Sequence, residues 1–176
     1  MSAGLERLNQ LSPAEAEAEL LKCCGSKNWA RGMAQSRPFR DAGAIADAAD
    51  RIWRQLGRED WLAAFRCHPK IGEKPAQGGA AETRRWAEQE QSGARSAKDD
   101  VRAALAEGNR AYEAHFGYIS IVCATGRTSE EMLALLGQRL QNDPHTELRI
   151  AAEEQRKITW LRLEKLLREL EARVER

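Results

Sequence analysis

Three side chains stand where the chain can hold reactive groups: His68, Glu90 and Arg162. His68 precedes Pro69. Because a proline ring pushes the preceding residue out of the α region, we expect a helix to end at this histidine. A helix C-terminus favours a protonated imidazole, which suits a proton donor near neutral pH. The alternative is a surface or helix-capping histidine, and position alone favours that alternative.

Arg162 lies within the apolar face of the last predicted helix, four residues from both Ile158 and Leu166. An arginine there either extends from the edge of the core into solvent or is buried with a partner. In the second case its planar guanidinium suits a carboxylate or a ureido oxygen. Glu90 follows Trp86 by about one helical turn, where it either contacts a ligand or belongs to a solvated helix face.

Other site chemistries find little support in the residue spacing. We find no phosphate-binding loop, no metal-ligand cluster and no Ser-His-Asp arrangement. The cysteines at 23, 24, 67 and 123 form no CxxC pair, so we expect reduced thiols in a cytoplasmic protein. A metal site built from Cys67, His68 and Cys123 is an alternative that metal analysis of the purified protein would test. Gly117 and Gly126 indicate either ordinary turns or a close approach of backbone to a ligand.

Length and composition are those of one globular domain covering residues 1–176. Hydrophobic residues make up 42%, charged residues 31%, and the net charge is +1. A near-neutral total argues against a general nucleic-acid binder, and no apolar run approaches the ~20 residues that span a bilayer. The terminal segments resemble neither a secretory signal nor a peroxisomal address. We therefore expect a cytoplasmic protein that binds neither nucleic acid nor membrane.

The residue types favour helix almost everywhere, since Ala, Leu, Glu, Arg and Gln dominate. This predicts a single all-α domain of about eight helices. The predicted elements run from Ser12-Pro13 to Gly25, over 26–36 and 41–56, from Asp60 to His68, over 81–92 and 96–115, from Ser129 to about 142, and from Pro144 into the 170s. A mobile loop is expected at 73–79. Tyr118 to Cys123 is the only strand-like run; lacking a second strand, it predicts an extended or helical segment through the core.

Several short motifs, taken in order, resemble the 2-oxo-4-hydroxy-4-carboxy-5-ureidoimidazoline (OHCU) decarboxylase family. Each motif is weak alone, and the resemblance rests on their order and spacing from about residue 12 to 167. The motifs are Arg37-Pro38-Phe39, Ile52-Trp53, Asp60 through His68-Pro69 to Gly72, Trp86 to Ser92, Phe116 to Cys123, Arg139 to Asn142, and Ile158 to Leu163.

The resemblance implies an all-α homodimer that converts OHCU to (S)-allantoin in urate degradation, with no cofactor and no metal. It implies that His68 is the proton donor, that Glu90 is a further catalytic residue, and that Arg162 contacts substrate from the last helix. The remaining substrate contacts that it implies are Pro69, Ala87, Glu88, Gln89, Gln91, Val122, Cys123, Ala124, Thr125 and Gly126.

One position departs from the family pattern. Ala87 stands where the family usually has serine, so a hydroxyl contact to substrate would be missing. The pair Glu88-Gln89 offers a rival register to Glu90-Gln91, but the second register keeps Trp86 and Ser92 in place. The alternative from another functional class is a non-catalytic helical module that binds a small anion or a protein partner, and Ala87 is the feature that favours it.

Overall fold

The computed structural model describes residues 2–70, 85–86, 89 and 99–174, and all regular secondary structure within these ranges is helical. Eight helices lie in the described ranges, which confirms the predicted all-α fold. They are α1 Ala3–Gln10, α2 Pro13–Cys24, α3 Lys27–Gln35, α4 Ala42–Gln55, α5 Arg58–Phe65, α6 Asp99–Phe116, α7 Ser129–Arg139 and α8 Pro144–Val174. Arg85, Trp86 and Gln89 are also helical, whereas the rest of the helix predicted at 81–92 and the loop predicted at 73–79 lie outside the described residues.

Local capping chemistry sets both ends of α2, as the sequence predicted. The Ser12 hydroxyl accepts from the amide of Glu15, and the Glu15 carboxylate accepts from the amide of Ser12, with Pro13 in the first turn. The Ser12 hydroxyl also donates to the Glu15 carboxylate at 2.6 Å, and this bond together with the one from the Ser12 amide lowers the pKa of Glu15. The helix ends at Gly25, whose φ is +86°.

One helix and one helix cap in this part of the fold differ from the prediction. Helix α1 was missed; Ser2 caps it, and its Leu5 and Leu8 are buried. So short a helix is marginal on local propensity and depends on tertiary packing. The cap of α7 is Thr128 rather than Ser129, because the Thr128 side chain and that of Glu131 bind each other's backbone amides.

The chain folds as two compact units, the first comprising residues 1–64 and 156–176. Trp29 is fully buried in this unit, and its indole N–H donates to the carbonyl of Ala49 at 3.1 Å. The Arg37 guanidinium donates to the carbonyls of Leu8 and Leu11 at the end of α1, both at 2.7 Å. Arg37 in the first family motif therefore fastens the end of a helix.

The second unit comprises residues 65–155. Four of its aromatic side chains are buried together, with ring centroids 4.6 Å apart for Tyr112–Phe116 and 5.4 Å apart for Phe65–Tyr118. Between α6 and α7, residues 117–128 contain no helix or strand. Of the two predicted forms for Tyr118 to Cys123, the helical one is therefore wrong, whereas the predicted course through the core agrees with Ile121, which is 2% exposed. In the described part of the chain, no helix is both long and apolar enough to cross a membrane.

Candidate active site

His68 lies in the turn that follows α5. The helix ends at Phe65, three residues earlier than predicted, and the His68 amide donates to the Phe65 carbonyl at 3.1 Å. At the other end of α5, the Asp60 carboxylate accepts from the Ser26 hydroxyl at 2.9 Å and from the side-chain NH2 of Asn28 at 3.0 Å. Phe65 is fully buried, whereas His68 and Pro69 are half-buried. Buried Phe65 therefore anchors the start of the turn, and the imidazole of His68 stays partly accessible to solvent.

The His68 ring binds a side chain that the sequence patterns did not single out. Its Nε2 lies 2.7 Å from Oε1 of Gln155, which is on α8 and is fully buried. Because an amide oxygen only accepts, Nε2 is the donor in this bond. A buried partner on a long helix restricts where the imidazole points.

Glu154, the residue before Gln155 on α8, holds the segment Val122 to Gly126. The carboxylate of Glu154, 7% exposed, accepts from the Cys123 amide at 2.7 Å. That amide is therefore already engaged within the protein. A turn follows, in which the Arg127 amide donates to the Ala124 carbonyl at 3.0 Å. Gly126 has φ +80°, the conformation that the third position of a type II turn requires.

A buried polar network supports this segment from the side of α7. Arg139 donates to the Ile121 carbonyl at 2.5 Å and through Nε to the Glu147 carboxylate at 2.7 Å. The Tyr112 hydroxyl also donates to Glu147, and Asn142 donates to its second oxygen at 2.8 Å. The carboxylate is inaccessible and the guanidinium nearly so, at 0% and 4% exposure. The fully partnered ion pair fixes the backbone just before Val122.

Arg162 is buried in the first unit. Its exposure is 1%, so of the two alternatives the structure excludes the one in which its side chain extends into solvent. Its positive charge acts on Cys23: burial raises the pKa of that thiol, and the guanidinium opposes the rise. A guanidinium at this depth needs anionic or polar contacts to remain charged.

The predicted site residues are described to different extents. His68 and the segment 122–126 lie in the second unit, where two neighbouring residues of α8 bind them. Arg162 lies in the first unit, and its convergence with His68 on one ligand stays a prediction. Gln89 is helical and exposed. The remaining predicted contacts, Ala87, Glu88, Glu90 and Gln91, lie outside the described residues.

Sequence reasoning missed Gln155, Glu154 and Glu147 as functional or supporting residues. A signal for them existed, since Glu147 and Glu154 are seven residues apart, with buried Ala151 between them. Polar residues at such spacing on an apolar face are candidates for buried contacts, as Arg162 is. Across the residues that the structure covers, no group of three or more His, Cys, Asp or Glu side chains is arranged to hold a metal ion.

Comparison with known proteins assigns the chain to a family. Residues 9–164 match the family model described as OHCU decarboxylase. The chain belongs to the OHCU decarboxylase family. This member is 43% identical over 151 residues to the uric acid degradation bifunctional protein TTL of Arabidopsis thaliana, a match covering 85% of the chain and 47% of that protein. It therefore spans about half the length of the Arabidopsis relative.

Two further matches cover a larger share of the matched protein than the Arabidopsis match does. The chain is 36% identical over 131 residues to the 2-oxo-4-hydroxy-4-carboxy-5-ureidoimidazoline decarboxylase of Mus musculus, and this match covers 74% of each of the two proteins. A crystal structure of OHCU decarboxylase in the presence of (S)-allantoin is similar with a TM-score of 0.73 and 41% identity, covering 85% of this chain and 96% of that one.

Proposed function

We propose that this chain removes the carboxylate of OHCU as CO2 and forms (S)-allantoin in urate degradation. The observation that carries the proposal is the family match over residues 9–164. It is supported by the similar structure solved in the presence of (S)-allantoin and by the half-buried, hydrogen-bonded His68.

The substrate supplies its own electron sink, so the reaction needs no cofactor. As the bond from the ring carbon to the carboxylate breaks, CO2 leaves and the electron pair moves toward the adjacent carbon–nitrogen double bond. A proton is then added to the neighbouring ring carbon on one face, and the hydroxyl proton passes to nitrogen as the carbonyl forms. The net reaction consumes one proton, and its stereochemistry depends on which face receives that proton.

Each predicted residue has a role in this reaction. His68 delivers the proton, and Glu90 binds the substrate hydroxyl or a ring nitrogen and fixes its orientation. Arg162 holds the ureido or carbonyl oxygens. Because the Cys123 amide is bound to Glu154, the backbone amides that stabilise a further oxygen are those at 124–126.

The test forms OHCU in situ from urate and follows optical activity. The protein should accelerate formation of chiral allantoin above the spontaneous rate. His68→Ala should remove a factor of about 10²–10⁴, the usual contribution of a positioned acid, while far-UV circular dichroism stays unchanged. His145→Ala, at an exposed histidine, is the matched control and should retain activity. A wild-type rate equal to the spontaneous background would defeat the proposal.

The second candidate function is a non-catalytic module that binds a small anion, and Ala87 is the residue that favours it. Ala87→Ser should raise the rate of allantoin formation if the missing hydroxyl limits catalysis. An unchanged rate would mean that another group compensates at this position. Binding of allantoin by a wild-type protein that accelerates nothing would support the non-catalytic module.

We also propose a cytoplasmic homodimer. The dimer follows from the family resemblance, and the location is supported by four cysteines that are all free thiols. Light scattering should give twice the chain mass of 19.7 kDa. A mass equal to one chain at micromolar concentration would contradict the dimer.

A further inference from the structure

The contact between His68 and Gln155 restricts the chemistry of the imidazole. Histidine has two ring nitrogens, and the hydrogen bond made by one decides which of them carries the proton in the neutral ring. The Gln155 amide oxygen accepts from Nε2 across 2.7 Å. An amide oxygen cannot donate, so Nε2 keeps its proton in both the neutral and the charged ring. The nitrogen that gains and loses a proton is then Nδ1.

We propose that Gln155 is a positioning residue that holds His68 in the Nε2–H tautomer and assigns Nδ1 as the nitrogen of proton transfer. The meaning of that transfer rests on the proposed decarboxylase function. Gln155 acts through His68, and the proposal gives it no contact with substrate.

The burial of Gln155 allows it to hold the imidazole of His68 in one orientation. Its side chain is fully buried on α8, a helix that extends from Pro144 to Val174. A buried side chain on a regular helix has few available rotamers, so the accepting oxygen is fixed relative to the helix axis. A functional group held by a rigid, hydrogen-bonded neighbour keeps its geometry better than one on a loop alone. His68, which follows the end of α5, obtains this rigidity from α8.

The neutral charge of Gln155 matters as much as its position. A carboxylate in its place would also fix the tautomer, but it would favour the imidazolium and hinder release of the proton. The carboxylate at the neighbouring position, Glu154, binds the Cys123 amide at 2.7 Å instead. Of these two buried residues, the uncharged one holds the histidine and the charged one holds a backbone N–H.

The tautomer is directly measurable because the chain has only three histidines. His115 and His145 are both exposed, so the double variant His115→Gln/His145→Gln leaves His68 as the only imidazole. Long-range proton–nitrogen correlation spectra of the labelled protein, recorded where the ring is neutral, show which nitrogen carries hydrogen. We expect Nε2–H. A predominant Nδ1–H form would overturn the proposal.

Two variants at position 155 link the tautomer to catalysis. Gln155→Leu removes the acceptor and should allow the Nδ1–H form. We expect kcat to fall about 10–100-fold, the range known for the hydrogen-bond partners of metal-bound histidines, which orient the ring in the same way, and KM to change little. Gln155→Glu keeps the acceptor and should keep the Nε2–H form. Gln141→Leu, at an exposed glutamine, is the control and should change neither.

The outcomes separate this inference from the proposed function. A lower kcat in Gln155→Leu with an unchanged tautomer would contradict the positioning role, as would a changed tautomer with an unchanged kcat. If Gln155→Leu does not fold, the tautomers of the wild type and of Gln155→Glu still decide the matter. A wild type without decarboxylase activity defeats the proposed function, but it leaves the spectroscopic result on His68 intact.

Discussion

Three buried polar residues of α8, Glu147, Glu154 and Gln155, each bind a different segment of the second unit. Glu147 binds Arg139 at 2.7 Å, and Glu154 binds the Cys123 amide at the same distance. Leaving such a group without its partner costs about 1–3 kcal/mol, so each contact fixes the geometry of the segment it reaches. Single polar residues on an otherwise apolar face are therefore what define the surroundings of His68 and of residues 122–126.

The buried hydroxyl of Tyr112 should make the stability of the protein depend on pH. Burial raises the pKa of its hydroxyl well above the ordinary value of 10; the Arg139 charge opposes the rise and the hydrogen bond to Glu147 adds to it. The folded protein keeps Tyr112 protonated while the unfolded chain ionises near pH 10. The free energy of unfolding should therefore hold its full value below pH 10 and decrease above it by up to about 1.4 kcal/mol per pH unit.

The measurement uses Tyr118→Phe, which leaves Tyr112 as the only tyrosine. Tyrosinate absorbance should appear only where circular dichroism shows unfolding. Reversible ionisation near pH 10 in a fully folded protein would show that the hydroxyl is not protected by burial.

At the scale of elements, the irregular segment between α6 and α7 is fixed from two sides. Arg139 of α7 holds the Ile121 carbonyl, and Glu154 of α8 holds the Cys123 amide. The turn that follows depends on Gly126, whose φ of +80° is disfavoured for residues with a Cβ. A rigid backbone at this point suits the proposed use of the following amides to bind an oxygen.

Two glycine substitutions should change stability in opposite directions. A Cβ at either Gly126 or Gly137 would meet no atom within 4 Å, so space does not distinguish them. Gly126→Ala should destabilise the protein by about 1–2 kcal/mol, because alanine is strained at positive φ. Gly137→Ala, within α7, should stabilise it by about 0.5–1 kcal/mol through helix propensity. Urea unfolding followed by circular dichroism measures both, and changes of the same sign would contradict the assignment.

At the scale of the whole chain, the proposed catalytic groups belong to different units. His68 lies within residues 65–155 and Arg162 within 156–176. Family membership covers both, since the match extends over residues 9–164. Ligand binding to the intact protein is therefore the property that reports on both groups together.

Binding of the proposed product, (S)-allantoin, should stabilise the intact protein. Saturating (S)-allantoin should raise Tm, since a ligand at 100 times its Kd contributes about 2.7 kcal/mol of stability. Arg162→Met should abolish that shift if the guanidinium holds the ligand. Arg168→Met on the same helix is the control, because Arg168 is 67% exposed, and it should keep the shift. An undiminished shift in Arg162→Met would remove Arg162 from the site.

The sequence by itself determined the described helices other than α1, and it determined both ends of α2, because caps such as Ser12 and helix stops such as Gly25 act locally. It also predicted a helix end next to Pro69, since the effect of a proline on its neighbour is local, although the helix ends three residues before His68. Only the tertiary structure decided what His68 binds, because Gln155 is 87 residues away in the chain. The same holds for the burial of Arg162: helical spacing assigns a residue to a face, but only the packing of other elements over that face decides whether its charge reaches water.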